Sequence, residues 1–408
     1  MKTKLLILFL AIFLFAFNLF VQADWIRLGS SENFNINNIK FLNANTGIAV
    51  CRYGEVLKTT NAGMNWFLKN SGHTSPLQDI CFVNQQIVLA VGLQGGIIRS
   101  TDCGENWVTI DSPNNTWLNS ISFVDNLTGF VCGDDEISIK TTDAGLTWTL
   151  KSMGTGNFFN CWFFNSNTGV VSNTTLGMRK TTNGGSNWLT TYNPVDFAKG
   201  IYFINQNLGF AVGKYGYILK TTNSGDNWFV IQPSNNIYNL DYISFLNQSI
   251  GLATGGSQTI ENRGVVLKTT NGGDNWVVTD NINSYIHGIA FNGTYAFIAA
   301  DSGIYRSADP IGIKNISSEV PKNYFLSQNY PNPFNPETII QYELQKNEFV
   351  KLYILNSLGQ KVATLVNEKQ SSGTYEVTFD GTNLPSGIYF YKLETASYNE
   401  TKKMILLK

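Results

Sequence analysis

Six carboxylates are the side chains of this sequence with the clearest capacity for chemistry. They are Asp79, Asp134, Asp135, Asp241, Glu261 and Asp301. Two carboxylates on either side of a glycosidic bond can hydrolyse it, one as a proton donor and the other as a nucleophile or base. Nothing in the spacing of these residues selects a pair, so the sequence allows a glycoside hydrolase without predicting one.

Other catalytic and metal-binding arrangements find less support. His73 and His287 have no serine or cysteine partner at a spacing typical of a catalytic triad. The consecutive residues Asp134, Asp135 and Glu136 could hold Ca²⁺, but neighbouring side chains on an extended segment point in alternate directions. We therefore expect no catalytic residue, no metal ion and no cofactor.

The cysteines do not suggest a disulfide framework. They are Cys51, Cys81, Cys103, Cys132 and Cys161. An odd number leaves at least one thiol unpaired, and no CxxC or Cys/His spacing indicates a metal site. Cys103 lies in a predicted turn and is the candidate for a reactive thiol.

An internal repeat indicates which secondary-structure elements position these residues. The phrase Lys-Thr-Thr-Asn-Ala-Gly-Met-Asn-Trp at residues 58–66 recurs with small changes, and the tryptophans of successive copies are 41, 41, 40, 40 and 48 residues apart. Each unit is rich in β-branched and aromatic residues and contains four predicted strands separated by Gly and Asn. A period of this length predicts a β-propeller.

Seven inner strands are expected, because an Ile-x-Phe motif (Cys-Trp-Phe at 161–163) occurs seven times, from Ile39 to Phe291. The last unit has no tryptophan, whereas Trp25 lies 41 residues before Trp66 and has no unit of its own. Pairing Trp25 to Leu28 with the last three strands would close the ring and satisfy an open sheet edge. We predict an all-β chain whose residues 24–310 form a seven-bladed propeller closed by its N-terminal strand.

The repeated phrase is expected to form the hairpin turn between the third and fourth strands. An Asn or Asp would bond backbone N–H groups two residues on, a Gly would supply positive φ, and the Trp would pack between blades. These residues are Asn61, Gly63, Trp66, Asp102, Gly104, Trp107, Asp143, Gly145, Trp148, Asn183, Gly185, Trp188, Asn223, Gly225, Trp228, Asn271, Gly273 and Trp276.

The pattern Ser/Thr-x-Asp/Asn-x-Gly-x-x-Trp resembles the Asp-box, or BNR repeat, of sialidases and other propellers. The longer phrase resembles the Ycf48-like (photosystem II assembly factor-like) propellers, from which we carry over the fold and the idea of protein docking, but not the photosynthetic role. Both resemblances imply that the box is a folding device on the face away from the ligand site. A sialidase also needs an arginine cluster, whereas only Arg52 and Arg263 lie in loops of the ligand face and the Phe-Arg-Ile-Pro motif is absent.

The face opposite the boxes carries our candidate ligand-binding residues. Aromatic residues precede three inner strands, and charged or aromatic residues occupy other loops. The set is Trp117, Phe197, Tyr285, Arg52, Tyr53, Lys214, Tyr215 and Arg263. Such a rim could stack against a sugar and hydrogen-bond its hydroxyls.

The C-terminal part differs in composition. After an expected linker at 311–323, residues 324–408 alternate strands and turns in the manner of a small Ig-like β-sandwich. The segments at 327–336 (Ser-Gln-Asn-Tyr-Pro-Asn-Pro-Phe-Asn-Pro) and 402–408 (Lys-Lys-Met-Ile-Leu-Leu-Lys) resemble the type A sorting domain of type IX secretion cargo. That resemblance implies recognition by the outer-membrane translocon. An Ig-like accessory binding module is the alternative.

The N-terminus and the charge agree with export. Residues 1–23 combine two lysines, an apolar run and a Val-Gln-Ala end, which predicts a signal peptide cleaved before Asp24; a membrane anchor is the alternative. A net charge of -1 without a basic run argues against nucleic acid as a partner. The expected location is the surface or surroundings of a Gram-negative bacterium.

These observations predict a secreted or cell-surface, noncatalytic, monomeric binding module that presents its loops to a polysaccharide or a surface protein. The alternatives are a surface glycoside hydrolase of the Asp-box type and a cell-envelope assembly scaffold of the Ycf48 type.

Overall fold

A computed structural model describes residues 25–31, 34–154, 156–173, 177–191, 197–232, 237–257, 263–307, 313–317, 320–382 and 384–408. The expected signal peptide at 1–23, residue Asp24 and Glu261 lie outside the described residues, as do parts of the expected linker.

Seven antiparallel four-stranded sheets follow one another along the chain, and we number them as blades 1 to 7. Blade 1 contains β2 (Ile36–Phe41), β3 (Gly47–Cys51), β4 (Val56–Thr59) and β5 (Phe67–Lys69). Blade 2 contains β6 (Leu77–Phe82), β7 (Val88–Gly92), β8 (Ile97–Ser100) and β9 (Val108–Thr109). Blade 3 contains β10 (Leu118–Phe123), β11 (Gly129–Gly133), β12 (Ser138–Thr141) and β13 (Thr149–Ser152). Blade 4 contains β14 (Phe158–Phe163), β15 (Gly169–Asn173), β16 (Gly177–Thr181) and β17 (Leu189–Thr190).

The remaining blades have the same order of strands from the axis outward. Blade 5 contains β18 (Ala198–Phe203), β19 (Gly209–Gly213), β20 (Ile218–Thr221) and β21 (Phe229–Gln232). Blade 6 contains β22 (Tyr238–Phe245), β23 (Gly251–Ser257), β24 (Gly264–Thr269) and β25 (Val277–Ile282). Blade 7 contains β26 (Ile286–Phe291), β27 (Ala296–Ala300), β28 (Gly303–Ser307) and β1 (Trp25–Arg27). Short 3₁₀ turns occur at Gly29–Ser31, Leu93–Gly95 and Lys214–Gly216.

The core lies between the blades. All residues of the second strands in blades 1 to 5 are buried, because each blade is covered by a neighbour on both of its faces. The tryptophan of each box fills the gap to the preceding blade: Trp228 of blade 5 is fully buried and shares a cluster with Val170 and Met178 of blade 4. Trp66 meets the ring of Phe41 edge-on at 5.8 Å between centroids. Packing between blades therefore holds the ring together.

The first strand closes this ring, as the sequence predicts. Trp25 pairs with Ser307 and Ile26 with Arg306 in an antiparallel ladder between β1 and β28. The contact continues beyond the strand, since the Ile304 N–H donates to Ser31 Oγ at 2.8 Å. The two ends of the propeller are thus joined without a covalent bond.

The box turns are built in the same way in six blades. The Ser or Thr hydroxyl accepts the N–H of the box glycine, as from Gly63 to Thr59 Oγ1 at 3.1 Å, and that glycine has a φ of 79°. The Asn or Asp side chain accepts the N–H four residues on, as from Asn65 to Asn61 at 3.0 Å. The expected bond from the side chain of Asn61 to the N–H two residues on is wrong, because the hydroxyl of Thr59 accepts that N–H, which belongs to Gly63.

Each box turn also docks on the turn between the first and second strands of its own blade. The Ala62 N–H donates to the Asn45 carbonyl at 3.0 Å, and Gly272 donates to Ser249 at 2.8 Å in blade 6. Cations at the start of the repeat reach the next blade, where Lys58 pairs with Glu105 at 2.8 Å. The boxes therefore fasten one end of the ring, opposite to the end where the inner strands begin.

The C-terminal unit is a sandwich of two four-stranded sheets. Its strands are β29 (Ile313–Ser317), β30 (Phe325–Leu326), β31 (Glu337–Leu344), β32 (Glu348–Leu355), β33 (Lys361–Gln370), β34 (Gly373–Asp380), β35 (Gly387–Glu394) and β36 (Asn399–Leu406). The sheet orders are β29-β34-β31-β30 and β33-β32-β35-β36, around a core that includes Phe334, Tyr342 and Tyr391.

Two features of this unit differ from, or add to, the sequence expectation. The stretch expected as a linker contains β29, which pairs with β34 and extends one sheet, so this unit includes residues before 324. The sandwich contacts the box end of blade 6, where Ser249 Oγ donates to Glu337 Oε2 at 2.8 Å. This contact lies at the end of the ring opposite to the one where the inner strands begin.

No helix among the described residues is long and apolar enough to cross a membrane.

Replacing Trp25 by Ala tests ring closure. Trp25 is 9% exposed and packs in a cluster with residues of blades 6 and 7, so we expect a loss of about 3 kcal/mol or more in the free energy of unfolding. Ile26→Ala is the matched control, because Ile26 belongs to the same strand but is 41% exposed and should cost less than about 1 kcal/mol. Denaturant unfolding measures the free energy of unfolding of both variants. Equal losses in Trp25→Ala and Ile26→Ala would contradict ring closure through Trp25.

A second prediction concerns the pH dependence of the box turns. Backbone and side-chain N–H donors of Asn106 lower the pKa of Asp102 to about 2. An acid with a lowered pKa in the folded state adds stability above its unfolded pKa, and this is lost as pH falls toward about 2. We expect Asp102→Asn to flatten the decline of the melting temperature between pH 5 and 2. Asp111→Asn, outside the turn, is the control; the same flattening there would contradict the assignment.

Candidate functional site

The inner strands begin around a central cavity of about 390 Å³ at the end of the ring opposite the boxes, which we call the bowl. All seven blades contribute to its lining. The aromatic lining residues are Trp117, Phe159, Tyr242 and Tyr285. The amide residues are Asn38, Gln78, Asn119, Asn157 and Asn160, and the titratable residues besides the two tyrosines are Asp79, Asp134, Lys199, Asp241 and His287.

A β-bulge in each inner strand explains why these residues face the axis. Between Leu77 and Asp79 the register with β7 shifts by one residue, and the corresponding shift occurs at the same place in every inner strand. A bulge leaves one residue unpaired and re-aims its side chain. The unpaired residues are Asn37, Gln78, Asn119, Phe159, Lys199, Asp241 and His287. All of them except Asn37 line the bowl.

Asp79 lies at the floor of the bowl and ties three blades together. Its carboxylate accepts the side-chain N–H of Asn38 in blade 1 at 2.9 Å and the backbone N–H of Ile121 in blade 3 at 3.0 Å. The N–H of Ile80 is a third donor, at 2.8 Å. Burial raises the pKa of Asp79, while Lys40, the N–H groups of Ile121 and Ile80, and the Ser120 side chain oppose the rise. The residue is a structural anchor whose oxygens are occupied by protein donors.

Opposite Asp79, a connected group of polar side chains crosses blades 5 to 7. Lys199 pairs with Asp241 at 3.0 Å, and the Tyr285 hydroxyl donates to the same carboxylate at 2.5 Å. Burial, together with the nearby charge of Asp241, raises the pKa of Tyr285, which keeps its hydroxyl protonated. His287 stands beside Tyr285 at 5.1 Å between ring centroids and contacts Asp301 at 2.8 Å. The Asp241 carboxylate of this wall is therefore held by two protein side chains.

Trp117 and Asp134 form the more open wall. Trp117 is 49% exposed, and its carbonyl accepts the Asp134 N–H at 2.9 Å. A Cβ on Gly133 would lie 1.9 Å from that carbonyl, so glycine permits the close approach that places the indole. Asn119 donates to the Asp134 carboxylate at 2.9 Å. An aromatic face, a carboxylate and an amide thus meet at one edge of the cavity.

The structure brings only part of the predicted rim to the bowl. Trp117 and Tyr285 line it, and Phe197 lies just outside, 6.5 Å from the ring of Phe159. The Lys214 ammonium stands 5.3 Å from the Phe197 ring centroid and 4.8 Å from that of Tyr215. These residues extend the rim beyond blade 5.

Three other predicted residues are elsewhere on the rim. Arg52, Tyr53 and Arg263 are not among the lining residues in the described part of the chain. Tyr53 is 62% exposed, and Arg263 accepts the Ser257 N–H through its carbonyl at 2.7 Å. Their loops join the second and third strands of blades 1 and 6, which lie farther from the axis than the inner strands.

The ligand-binding set predicted from the sequence lacks most of the bowl, notably Asn119, Phe159, Lys199 and His287. A usable signal exists in the sequence, because every bulge residue stands two positions before the first residue of the Ile-x-Phe motif or its Cys-Trp-Phe equivalent. Aligning the seven units on this motif and taking the residue two positions before it identifies all seven bulge residues from the sequence.

The carboxylates considered for hydrolysis are largely committed to protein partners. Asp79 and Asp241 are held as described, Asp301 contacts His287, and Glu136, considered as a Ca²⁺ ligand, pairs with Arg179 at 2.7 Å. Among the described residues there is no group of three His, Cys, Asp or Glu side chains that could hold a metal ion.

The fold and the C-terminal unit together define an exported propeller protein. Residues 328–407 match the family described as the secretion system C-terminal sorting domain, which directs proteins through type IX secretion to the cell surface or beyond. Comparison with curated proteins found no match.

Solved structures support the propeller. The chain is similar to "YCF48 bound to D1 peptide", with 18% identity, a TM-score of 0.57, and 70% of this chain and 96% of the other covered. It is similar to the GH74 xyloglucanase of Xanthomonas campestris, with 10% identity, a TM-score of 0.58, and 78% and 59% covered. PorZ, a surface component of the type IX secretion system of Porphyromonas gingivalis, has 12% identity, a TM-score of 0.51, and 91% and 59% covered. At these identities the similarities show the fold.

Substitution of Asp79 tests its role as an anchor. Asp79→Ala leaves the buried donors of Asn38, Ile80 and Ile121 without their acceptor, which should lower the free energy of unfolding by about 3 kcal/mol. Asp79→Asn retains one acceptor oxygen and should lose less. Chemical denaturation distinguishes the two, and an Asp79→Ala protein as stable as wild type would refute the anchor.

Proposed function

We propose that this chain is a surface binding module that holds a polysaccharide in the bowl without cutting it. The observation that carries the proposal is the half-exposed Trp117 ring beside Asp134 and the amides of the bulge residues. The module acts as a monomer, and nucleic acid is not its partner.

Sugars suit this combination of groups. The faces of pyranose rings are apolar and stack on aromatic side chains, while hydroxyls need donors and acceptors at fixed positions. Asn157 and Asn160 can supply both, since each amide carries a donor group and an acceptor.

The charges argue against a sialidase-like ligand. Lys199 is the ammonium among the lining residues, and it is paired with Asp241. An acidic sugar would face Asp79, Asp134 and Asp241 without an arginine among the lining residues of the described chain. A neutral polysaccharide meets no such repulsion.

The route of export completes the proposal. Residues 1–23 would direct the chain across the inner membrane as a cleaved signal peptide, and the sorting domain would engage the type IX translocon. The sandwich contacts the box end of blade 6, so these contacts would leave the bowl uncovered by the sorting domain.

Two alternative functions would be supported by other results of the glycan-array test described next. A neighbour in fold is a xyloglucanase, which keeps surface hydrolysis as one alternative. Another is YCF48 bound to a peptide, which keeps a protein partner or an assembly scaffold as the second.

A glycan array with two readouts tests the proposal. The exported chain is incubated with neutral and acidic polysaccharides, and bound glycan and released reducing ends are measured. We expect binding of a neutral polysaccharide without release, and Trp117→Ala should raise the Kd about tenfold or more through loss of stacking. Tyr53→Ala is the matched control, since Tyr53 is an exposed aromatic outside the bowl.

Each other outcome points elsewhere. Release of reducing ends would overturn the noncatalytic assignment in favour of a hydrolase. No binding to any glycan would reject the polysaccharide and leave the protein partner. An equal loss of glycan affinity in Trp117→Ala and Tyr53→Ala would place the ligand outside the bowl.

A further inference from the structure

Two of the cysteines meet inside the ring, at the boundary of blades 3 and 4. Cys161 Sγ lies 3.7 Å from the Ser120 carbonyl oxygen and 3.8 Å from Ser120 Oγ. Ser120 is the residue directly opposite Cys132 in the ladder between β10 and β11. Cys132 and Cys161 belong to the same buried cluster, and burial, followed by the neighbouring Cys161 thiol, raises the pKa of Cys132.

We propose that Cys132 and Cys161 form a disulfide in the exported protein and so link blade 3 to blade 4. The sorting domain marks this chain for type IX secretion, so the protein works outside the cytoplasm, where neighbouring thiols are oxidised rather than kept reduced. The link differs from the sequence expectation, which found no framework because spacing along the chain cannot show which thiols meet across a blade boundary.

The chemistry needs an oxidant, which is a protein disulfide of the thiol-oxidising enzymes of the cell envelope. Two S–H bonds break and one S–S bond forms, and the two electrons and two protons reduce the oxidant's disulfide to two thiols. Burial raises the pKa of Cys132, so the thiolate needed for exchange is disfavoured once the blades have closed. Oxidation therefore occurs during folding, before the pair is covered.

The other thiols are placed differently. Burial, followed by the charge of Asp79, raises the pKa of Cys81 to about 12, and its thiol donates to the Phe82 carbonyl at 3.7 Å. Cys51 belongs to a cluster of blades 1 and 7, and Cys103 lies in the box turn of blade 2. Cys51, Cys81 and Cys103 are expected to remain thiols.

The link would hold the more open wall of the bowl. Blade 3 supplies Trp117 and Asn119, and blade 4 supplies Phe159 and Asn160. Joining these two blades near the axis limits their separation where a ligand would press between them.

Peptide mass spectrometry of the full exported chain tests the link. Protein from an oxidising periplasm is denatured without reductant, alkylated and cleaved with trypsin and a glutamate-specific protease. Cleavage after Glu105 separates Cys103 from Cys132, and cleavage after Lys140 and Lys151 separates Cys132 from Cys161. We expect a cross-linked pair of peptides carrying Cys132 and Cys161, about 2 Da lighter than the sum of the free peptides. Cys51, Cys81 and Cys103 should be alkylated in the same sample.

Reduction and substitution supply the controls. Reductant before alkylation should abolish the cross-link, and the melting temperature of wild type should fall on reduction while that of Cys132→Ser should not. Cys103→Ser is the matched control. It should keep the cross-link, and its melting temperature should fall on reduction as that of wild type does. Full alkylation of Cys132 and Cys161 in the unreduced wild type, or a cross-link from Cys161 to Cys81, would overturn the proposal whether or not the variants fold.

Discussion

Packing between neighbouring blades is the interaction on which the rest of this structure depends. A single four-stranded blade buries neither of its faces, and the fully buried second strands show that each blade is covered only by its neighbours. A row of such units would leave one apolar face exposed at each end. Closing the row through Trp25 and β28 removes both exposed faces, which is why a three-residue strand far from the bowl matters to it.

Closure also fixes the geometry of the bowl. Because the inner strands all begin at one end of the ring, a bulge repeated in each strand places seven side chains around one axis. The architecture demands the bulge, but the residue placed there is free to vary. It is an amide in blade 3, an aromatic ring in blade 4, and charged in blades 5 and 6. Variation within a rigid frame is how one fold can serve different ligands.

The sequence predicts the fold well because each sequence repeat corresponds to one blade, and the blade is the unit that packs. The tryptophan spacing gives the number of boxes, and the missing tryptophan of the last unit identifies Trp25 as the closing strand. It predicts the site less well. Trp117 and Tyr285 are found because they precede inner strands, whereas Lys199 and His287 lie within strands and are directed to the axis only by the bulge. Arg52 and Arg263 show the converse, since a place in a loop of the correct face does not bring a residue to the axis. The strand β29 was missed for a related reason, as its partner β34 lies far along the chain.

A crystal structure of the full chain with a neutral oligosaccharide would test the central claim most directly. The account predicts a pyranose ring stacked on Trp117, with its hydroxyls bonded to Asp134 and to amides of the inner strands, and with Lys199 still paired to Asp241. A sugar bound at the box end of the ring, or on the outer strands with the bowl empty, would contradict it.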